Sequence, residues 1–456
     1  MVKPHRGDVV DVTISHINEK GQGIGALDDY TVRVRGGVPG DQIRGYIRKT
    51  RNSRREIELK KTDLLDAETQ RIEPRCGHFG TCGGCVWQDI PYESQVGIKQ
   101  QLIVNCLAEA GIDLELDTPL LNHTSFFYRN KMEFSFGVSE NGLAELGLHV
   151  PGRFDQVFDL EACFLQSESS NAIVAYVRDF VRSRQLSVYH LKHHEGLLRF
   201  LTIREGRNTD ETMVILTTSG DDFGDAKELG EGLLATFSNI ICVIQSVNDR
   251  KAHVAFGDEE ILLAGRDHIF EKLGPFTFEI SPSSFFQTNT HQAEELYRRV
   301  VALADPKCDD RVLDLYCGMG GISFFLSERV KHLLGIEVSD SAIQDAVRNS
   351  ARNKIENCTF MVGQAEDLLG QLAEKDERFD LVVTDPPRVG MHPKALKALI
   401  KLRPNKIVYV SCNPQALVRD LKVFSAAGYQ IEYGQLVDMF PHTPHCEVLV
   451  RLVDRQ

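Results

Sequence analysis

From about residue 290 onward the chain repeats one pattern, and that pattern constrains the fold more than any other feature. A helical stretch, "HQAEELYRRVVAL", leads into the apolar run "RVLDLY", helix "GISFFLSERV" and run "HLLGIEV". Helix "SAIQDAVRNSARNK", run "CTFMVG", helix "DLLGQLAE" and run "FDLVVTDP" follow, then helix "PKALKALIKL", run "KIVYVSC" and a helix after Pro414. Short β-branched runs alternating with amphipathic helices imply a doubly wound, mostly parallel sheet, whose ligands gather at the carboxyl ends of its strands. The last two β runs, "IEYGQLVDMF" and "CEVLVRLV", are joined only by "PHTPH", so they should pair as an antiparallel hairpin.

Upstream the pattern differs. Residues 1–62 alternate apolar and polar positions in short runs punctuated by glycines, as a small OB-like β-barrel does. A Gly- and Cys-rich knot, "CGHFGTCGGCVWQDIPYESQ", precedes a helix over 93–111. Residues 119–265 carry β runs with one helix near 168–184, an α+β arrangement. The expected division is therefore 1–62, a barrel; 63–285, a central α+β domain holding the cysteine cluster; and 286–456, the Rossmann-like catalytic sheet.

Hydrophobic residues make up 42% of the chain and charged residues 26%, which suits a soluble protein. The start, "MVKPHRGDVVDV", has no apolar signal core and no run reaches membrane-spanning length, so a cytoplasmic location without membrane contact is expected. Nothing in the sequence demands an obligate protein partner. The net charge of −13 speaks against a polyanionic ligand, yet residues 1–62 hold 13 Lys+Arg against 8 Asp+Glu, and "RGYIRKTRNSRR" (44–55) is basic throughout. Such a local field can hold phosphates, or be an ordinary solvated hairpin.

Three strand ends carry the chemistry. "VLDLYCGMGG" (312–321) puts Asp314 before a glycine-rich turn containing Gly318, and Glu337 ends the next strand, where it can accept bonds from ribose hydroxyls. The full dinucleotide fingerprint is missing, so an adenosyl ligand with an amino-acid tail, S-adenosylmethionine, fits better than a pyrophosphate. "VVTDPPRVG" (382–390) ends a strand on Asp385, followed by two stiffening prolines and Arg388. "YVSCNPQAL" (409–417) ends a strand on Cys412, with Asn413 and Pro414 suited to the cap and first turn of a helix. A thiol there is either a small apolar end to a strand or a nucleophile biased toward thiolate by the helix N-terminus.

A thiol next to a methyl-donor site has one compelling use. Carbon 5 of a pyrimidine is a weak nucleophile until a thiolate adds to carbon 6, and the carbon 5 proton must later leave so that sulfur can be expelled. Cys412 supplies the nucleophile. Glu447, opening the last strand in "FPHTPHCEVLV", offers a carboxylate that burial would raise in pKa.

"DLYCGMGG", "TDPPR", "SCNP" and "DMFPHTPHCE", with "SPSSFFQTNT" (281–290) and "YRNKMEF" (128–134), together resemble the RNA (uracil-C5)-methyltransferase family that uses S-adenosylmethionine. The resemblance spans nearly the whole chain. It implies Cys412 as nucleophile and Glu447 as the base for the carbon 5 proton. Gln287, Tyr316, Glu337 and Asp385, with Asp314 and Gly318, fall at its cofactor site. It also implies Phe285 near a flipped base, with Arg129 and Lys131 as further RNA contacts. Cys76, Cys82 and Cys85, spaced C-x5-C-x2-C, and Cys163 suit an iron–sulfur cluster, though zinc stays open from spacing alone. The family's cluster-bearing members imply a [4Fe–4S] centre, and residues 1–62 resemble its TRAM domain. Barrel, cluster and sheet together resemble the bacterial branch acting on 23S rRNA. The same chemistry on the T-loop uridine of tRNA, or an RNA-binding scaffold without catalysis, are the alternatives.

Overall fold

A computed structural model describes residues 3–153, 155–220 and 222–455. Their contacts gather into two units, one of residues 1–75, 85–122 and 366–456, the other of 76–84 and 123–365.

The first unit opens with a closed five-stranded barrel built from Val9–Ile17, Gln22–Leu27, Tyr30–Arg35, Gln42–Arg51 and Glu56–Asp66. Val9–Ile17 pairs antiparallel with Gln42–Arg51, and Tyr30–Arg35 pairs parallel with Glu56–Asp66, which closes the ring. Alternation sends Val12, Ile14, Val32, Val34, Ile43, Ile47, Ile57 and Leu59 inward. The basic segment is less naked than its sequence suggests. Arg44 pairs with Asp11, Arg48 with Glu58, Arg51 with Glu56 and Arg55 with Asp29, at 2.7, 3.1, 3.5 and 2.8 Å. Four of its six cations thus meet carboxylates contributed by other parts of the barrel chain.

The same unit holds a sheet in which Leu381–Thr384 runs parallel to Lys406–Ser411. Lys406–Ser411 then pairs antiparallel with Glu447–Asp454, which pairs antiparallel with Tyr429–Val437. The expected terminal hairpin is present. A short strand, Asp117–Leu120, adds parallel to Tyr429–Val437 and has no counterpart in the sequence reading. Helices Pro393–Leu402 and Pro414–Ala426 follow their strands as expected, each with proline in its first turn. Helix Tyr92–Glu109 is tied to the loop before the last strand by buried polar side chains. Lys99 Nζ donates to Asp438 Oδ1 at 2.6 Å with both side chains fully buried, and Gln95 Oε1 accepts from the His442 N–H at 2.7 Å.

The second unit contains a seven-stranded sheet ordered Glu259–Gly265, Ile240–Val247, Glu211–Thr218, Leu198–Gly206, Lys131–Val138, Ala144–His149, Val157–Asp159. All its pairings are antiparallel except that of Glu211–Thr218 with Ile240–Val247. A parallel pair needs a crossover, and helix Ala226–Thr236 provides it, so this region has two helices where the sequence indicated one. A hairpin, Ile269–Leu273 with Phe276–Ile280, precedes helix Thr290–Ala304. Three parallel strands, Arg311–Leu315, His332–Glu337 and Cys358–Val362, alternate with helices Gly321–Ser327 and Asp340–Arg352. No described helix is long and apolar enough to cross a membrane.

Candidate active site

In the first unit, Cys412 follows directly on strand Lys406–Ser411, and Asn413 caps the next helix by accepting from the Gln415 N–H at 3.1 Å. Asn413 also donates through Nδ2 to the carbonyl of Arg388 at 2.9 Å, tying the thiol's turn to the Asp385 loop. That loop is fastened again further on. Arg419 Nη2 donates to the Val389 carbonyl at 2.9 Å, and Asp420 Oδ2 accepts from the Met391 N–H at 2.9 Å and Tyr409 Oη at 2.8 Å. Gly390 sits at φ +78°, where a Cβ would lie 2.5 Å from Arg419 Nη2. Only glycine suits both that conformation and that clearance.

The register of the last two pairings sets the chemistry. Ser411 faces Val448 across the antiparallel pair, so one step further Cys412 comes opposite Glu447, the first residue of strand Glu447–Asp454. Glu447 is buried, with Oε2 making no hydrogen bond, and burial raises its pKa well above the usual carboxylate range; Asp385 adds to the rise and Arg388 opposes it. Asp385 is pushed up to about 7 by burial. Burial and the Asp385 charge together disfavour the ionised form of Glu447.

The thiol differs from expectation. A helix N-terminus suggests a thiolate, but burial pushes Cys412 up to about 11, and the nearby Glu447 and Asp385 carboxylates push the same way. Arg388 works against them through its charge and a hydrogen bond. The missing charge comes from this arginine, which the sequence places in "DPPR" without revealing its use. Its Nη2 donates to His445 Nδ1 at 2.9 Å, so the "HTPH" segment helps to orient it.

The second unit carries the other expected residues. Glu337 ends strand His332–Glu337; its Oε1 accepts from the Val338 and Ser339 N–H groups at 2.8 and 2.9 Å, and Oε2 from Gly318 N–H at 3.3 Å. Tyr316 adopts φ +63°, a left-handed conformation that costs a non-glycine residue roughly 1–3 kcal/mol and concentrates at functional turns. Asp314 is turned inward. It is buried and accepts from Ser323 Oγ at 2.5 Å, so it shapes the glycine turn from beneath. Asn130 was missed by sequence reasoning, although it lies in the quoted "YRNKMEF". Its Nδ2 donates to the Gln287 carbonyl at 2.9 Å and to Thr290 Oγ1 at 2.8 Å, fixing the segment that bears Gln287. Phe285 is 69% exposed although its neighbours Ser284 and Phe286 are buried. Arg204 donates to the Ser284 carbonyl at 2.6 Å, so the ring projects from a held backbone.

Arg129 is half-buried and donates through Nε to the Lys131 carbonyl at 2.9 Å. Lys131 has partners within the protein. Its ammonium lies 2.8 Å from Glu133 and 4.4 Å from the Phe256 ring centre, and burial lowers its pKa.

Among the described residues no group of three or more His, Cys, Asp or Glu side chains is arranged to hold a metal ion. Cys76 and Cys82 lie close enough to Cys163 to raise its pKa by repulsion, after burial, the larger cause. Cys85, which belongs to the first unit, accepts from Gln88 Nε2 at 3.1 Å, and Cys82 Sγ accepts from the Gly84 N–H at 3.3 Å.

The model of the tRNA (uracil-5-)-methyltransferase family matches residues 258–455. An uncharacterized RNA methyltransferase of Clostridium tetani is 35% identical over 98% of this chain and 96% of its own length. One from Chlorobaculum tepidum is 36% identical over 98% of this chain and 97% of its own. The crystal structure of the Pyrococcus abyssi tRNA (uracil-54, C5)-methyltransferase in complex with S-adenosyl-L-homocysteine superposes with TM-score 0.77 at 28% identity, covering 97% of this chain and 100% of that one.

Proposed function

Since the chain belongs to the RNA (uracil-C5)-methyltransferase family, an S-adenosylmethionine-dependent class of enzyme, we propose that it methylates carbon 5 of a uridine in 23S rRNA through a covalent bond between Cys412 and carbon 6. The observation that carries this reading is the register that sets Cys412 opposite Glu447. A nucleophile and a buried carboxyl on adjacent strand ends can serve the two faces of one addition and elimination.

With its proton released to solvent, the Cys412 thiolate bonds through Sγ to carbon 6, and the ring's electrons move toward carbon 5, which becomes the nucleophile. When bound, S-adenosylmethionine would supply the methyl group that carbon 5 takes up, departing as S-adenosylhomocysteine. Glu447 then takes the proton from carbon 5, and the returning electrons break the S–C6 bond. Arg388 favours the thiolate at the start, and the raised pKa of Glu447 makes its carboxylate the stronger base. In the cofactor site, Gln287, Tyr316, Gly318 and Glu337 hold the adenosyl and amino-acid parts, with Asp314 shaping the turn beneath them. The residue types fit the ligand: an acidic strand end beside a glycine turn suits a ribose and an amino-acid tail.

The remaining assignments belong to the same proposal. Phe285, projecting from a fixed backbone, stacks on the flipped base, and Arg129 lies in the RNA path. Residues 1–62 add RNA affinity as a TRAM-type barrel. The family resemblance implies that Cys76, Cys82, Cys85 and Cys163 would hold a [4Fe–4S] cluster; the N–H···S bonds at Cys82 and Cys85 are of the kind that support cluster thiolates. Iron and sulfide analysis of anaerobically purified protein tests it, with about four of each per chain expected.

A second reading, a tRNA uridine, is favoured by the likeness over nearly the full length to the Pyrococcus tRNA enzyme. Mapping 5-methyluridine in rRNA and tRNA from a strain lacking this gene separates them. Loss of one site in 23S rRNA supports the first reading, and loss from tRNA alone replaces it with the second.

A further inference from the structure

The second unit contains a cavity of about 240 Å³ lined by none of the residues assigned above. Its walls combine the Phe136 ring with three flat rings that have polar edges, Tyr189, His149 and His253. The two imidazoles meet Nε2 to Nε2 at 3.1 Å, and Ser135 Oγ lies 2.9 Å from His149 Nε2. Burial lowers the pKa of both, that of His253 to about 4 with repulsion from His149 and Arg199. Both rings are therefore neutral near pH 7, and their short contact makes one the donor and the other the acceptor. Such a pair offers a fixed hydrogen-bonding edge in place of a charge.

The opposite wall is equally settled. The Tyr189 N–H donates to the Leu198 carbonyl at 2.8 Å, its hydroxyl lies 2.9 Å from His194 Nδ1, and the Arg199 guanidinium stacks 4.4 Å from its ring centre. Arg199 in turn donates to the carbonyls of Asn248, Arg250 and Ala252, fixing the turn that presents His253. Gly196, at φ +102°, lets the Tyr189 loop fold back, since a Cβ there would lie 2.2 Å from the Val188 carbonyl oxygen. Lys192, whose side chain is 63% exposed, also lines the cavity and pairs with Asp155 at 2.8 Å.

The volume falls below the roughly 300–1,000 Å³ of sites for drug-sized ligands, which suits a single flat heterocycle. Proteins read unpaired RNA by laying splayed bases on aromatic rings and bonding to their edges. We propose that this cavity receives one unpaired base of the RNA substrate, stacked on Tyr189 and read at its edge by His253, with Lys192 on an adjoining phosphate. The proposal rests on the RNA substrate of the function above, without depending on which uridine is methylated.

Ultraviolet cross-linking of the full-length protein to in vitro transcripts of bacterial 23S rRNA and tRNA, with nucleotide-bearing peptides mapped by mass spectrometry, tests it. Adducts are expected at Tyr189 or His253. Tyr189→Leu should lose them and weaken RNA binding about tenfold, the scale of one lost stacking contact, with S-adenosylhomocysteine affinity unchanged. If that variant misfolds, Lys192→Ala gives the same reading with a smaller loss from an exposed position. Absence of adducts in 187–200 and at His253, or unchanged RNA affinity in a folded variant, overturns the proposal. A normal 5-fluorouridine adduct at Cys412 in the same preparation would then leave the uridine-methylation reading standing.

Discussion

Replacing Glu447 with glutamine separates the two halves of the proposed chemistry, because the same carboxyl that removes the carbon 5 proton also suppresses the nucleophile. Cys412 and Glu447 come opposite each other one step beyond the Ser411–Val448 pair, a placement that sets Cβ atoms about 5 Å apart. Two unit charges roughly 6 Å apart repel by about 3 kcal/mol at an effective dielectric near 20, or about two pKa units. That is a ceiling, because burial also favours the neutral form of Glu447. The thiol of Glu447→Gln should therefore fall from about 11 by about one unit, raising the thiolate fraction at fixed pH about tenfold. Only the thiolate reacts with iodoacetamide, so the alkylation rate climbs with pH and the variant's profile should lie at lower pH than that of the parent. Site-resolved mass spectrometry reads Cys412, with the exposed Cys308 as an internal reference. Turnover should nevertheless stop, with the methylated RNA–Cys412 adduct accumulating. An alkylation profile that stays put or moves to higher pH would refute the electrostatic coupling.

Arg388→Met should act in the opposite sense, raising the thiol's pKa further; slower Cys412 alkylation at fixed pH and a single-turnover methyl-transfer rate lower by about ten- to a hundredfold are expected. Gly390→Ala forces a side chain into the left-handed region against Arg419, and should cost at least about 1–2 kcal/mol, read as a lower urea midpoint with unchanged slope. Lys99→Met leaves Asp438 buried without its cation and should destabilise by about 3–5 kcal/mol. Adding Asp438→Asn should recover part of that loss in the same urea titration.

Much of the architecture is legible in the sequence because hydrophobic period changes sharply where strands give way to helices. The strand ending at Ser411 and the proline-started helix at Pro414 are of this kind. Elements that exist through their partners are not. Asp117–Leu120 is four residues long and includes Pro119; it is a strand because Tyr429–Val437 pairs with it. Helix Ala226–Thr236 is hidden by Gly230 and Gly232, poor helix formers that give no periodic signal, although Leu229 and Leu233 are buried. At the site, motif spacing places Cys412 and Glu447 at strand ends, but the thiol's protonation depends on what faces it across the sheet. The barrel makes the same point, since counting charges along 44–55 overlooks the carboxylates on other barrel segments. The cysteine spacing likewise names possible thiol ligands without saying which of them a metal would use.

The decisive measurement is covalent capture. Incubated with S-adenosylmethionine and 5-fluorouridine-substituted 23S rRNA or tRNA transcripts, the protein should form a complex that survives denaturing electrophoresis and maps to Cys412, because fluorine on carbon 5 cannot leave as a proton does. The account predicts no complex and no methyl transfer from Cys412→Ser. Unsubstituted RNA methylated by Cys412→Ser at the parent's rate would contradict it.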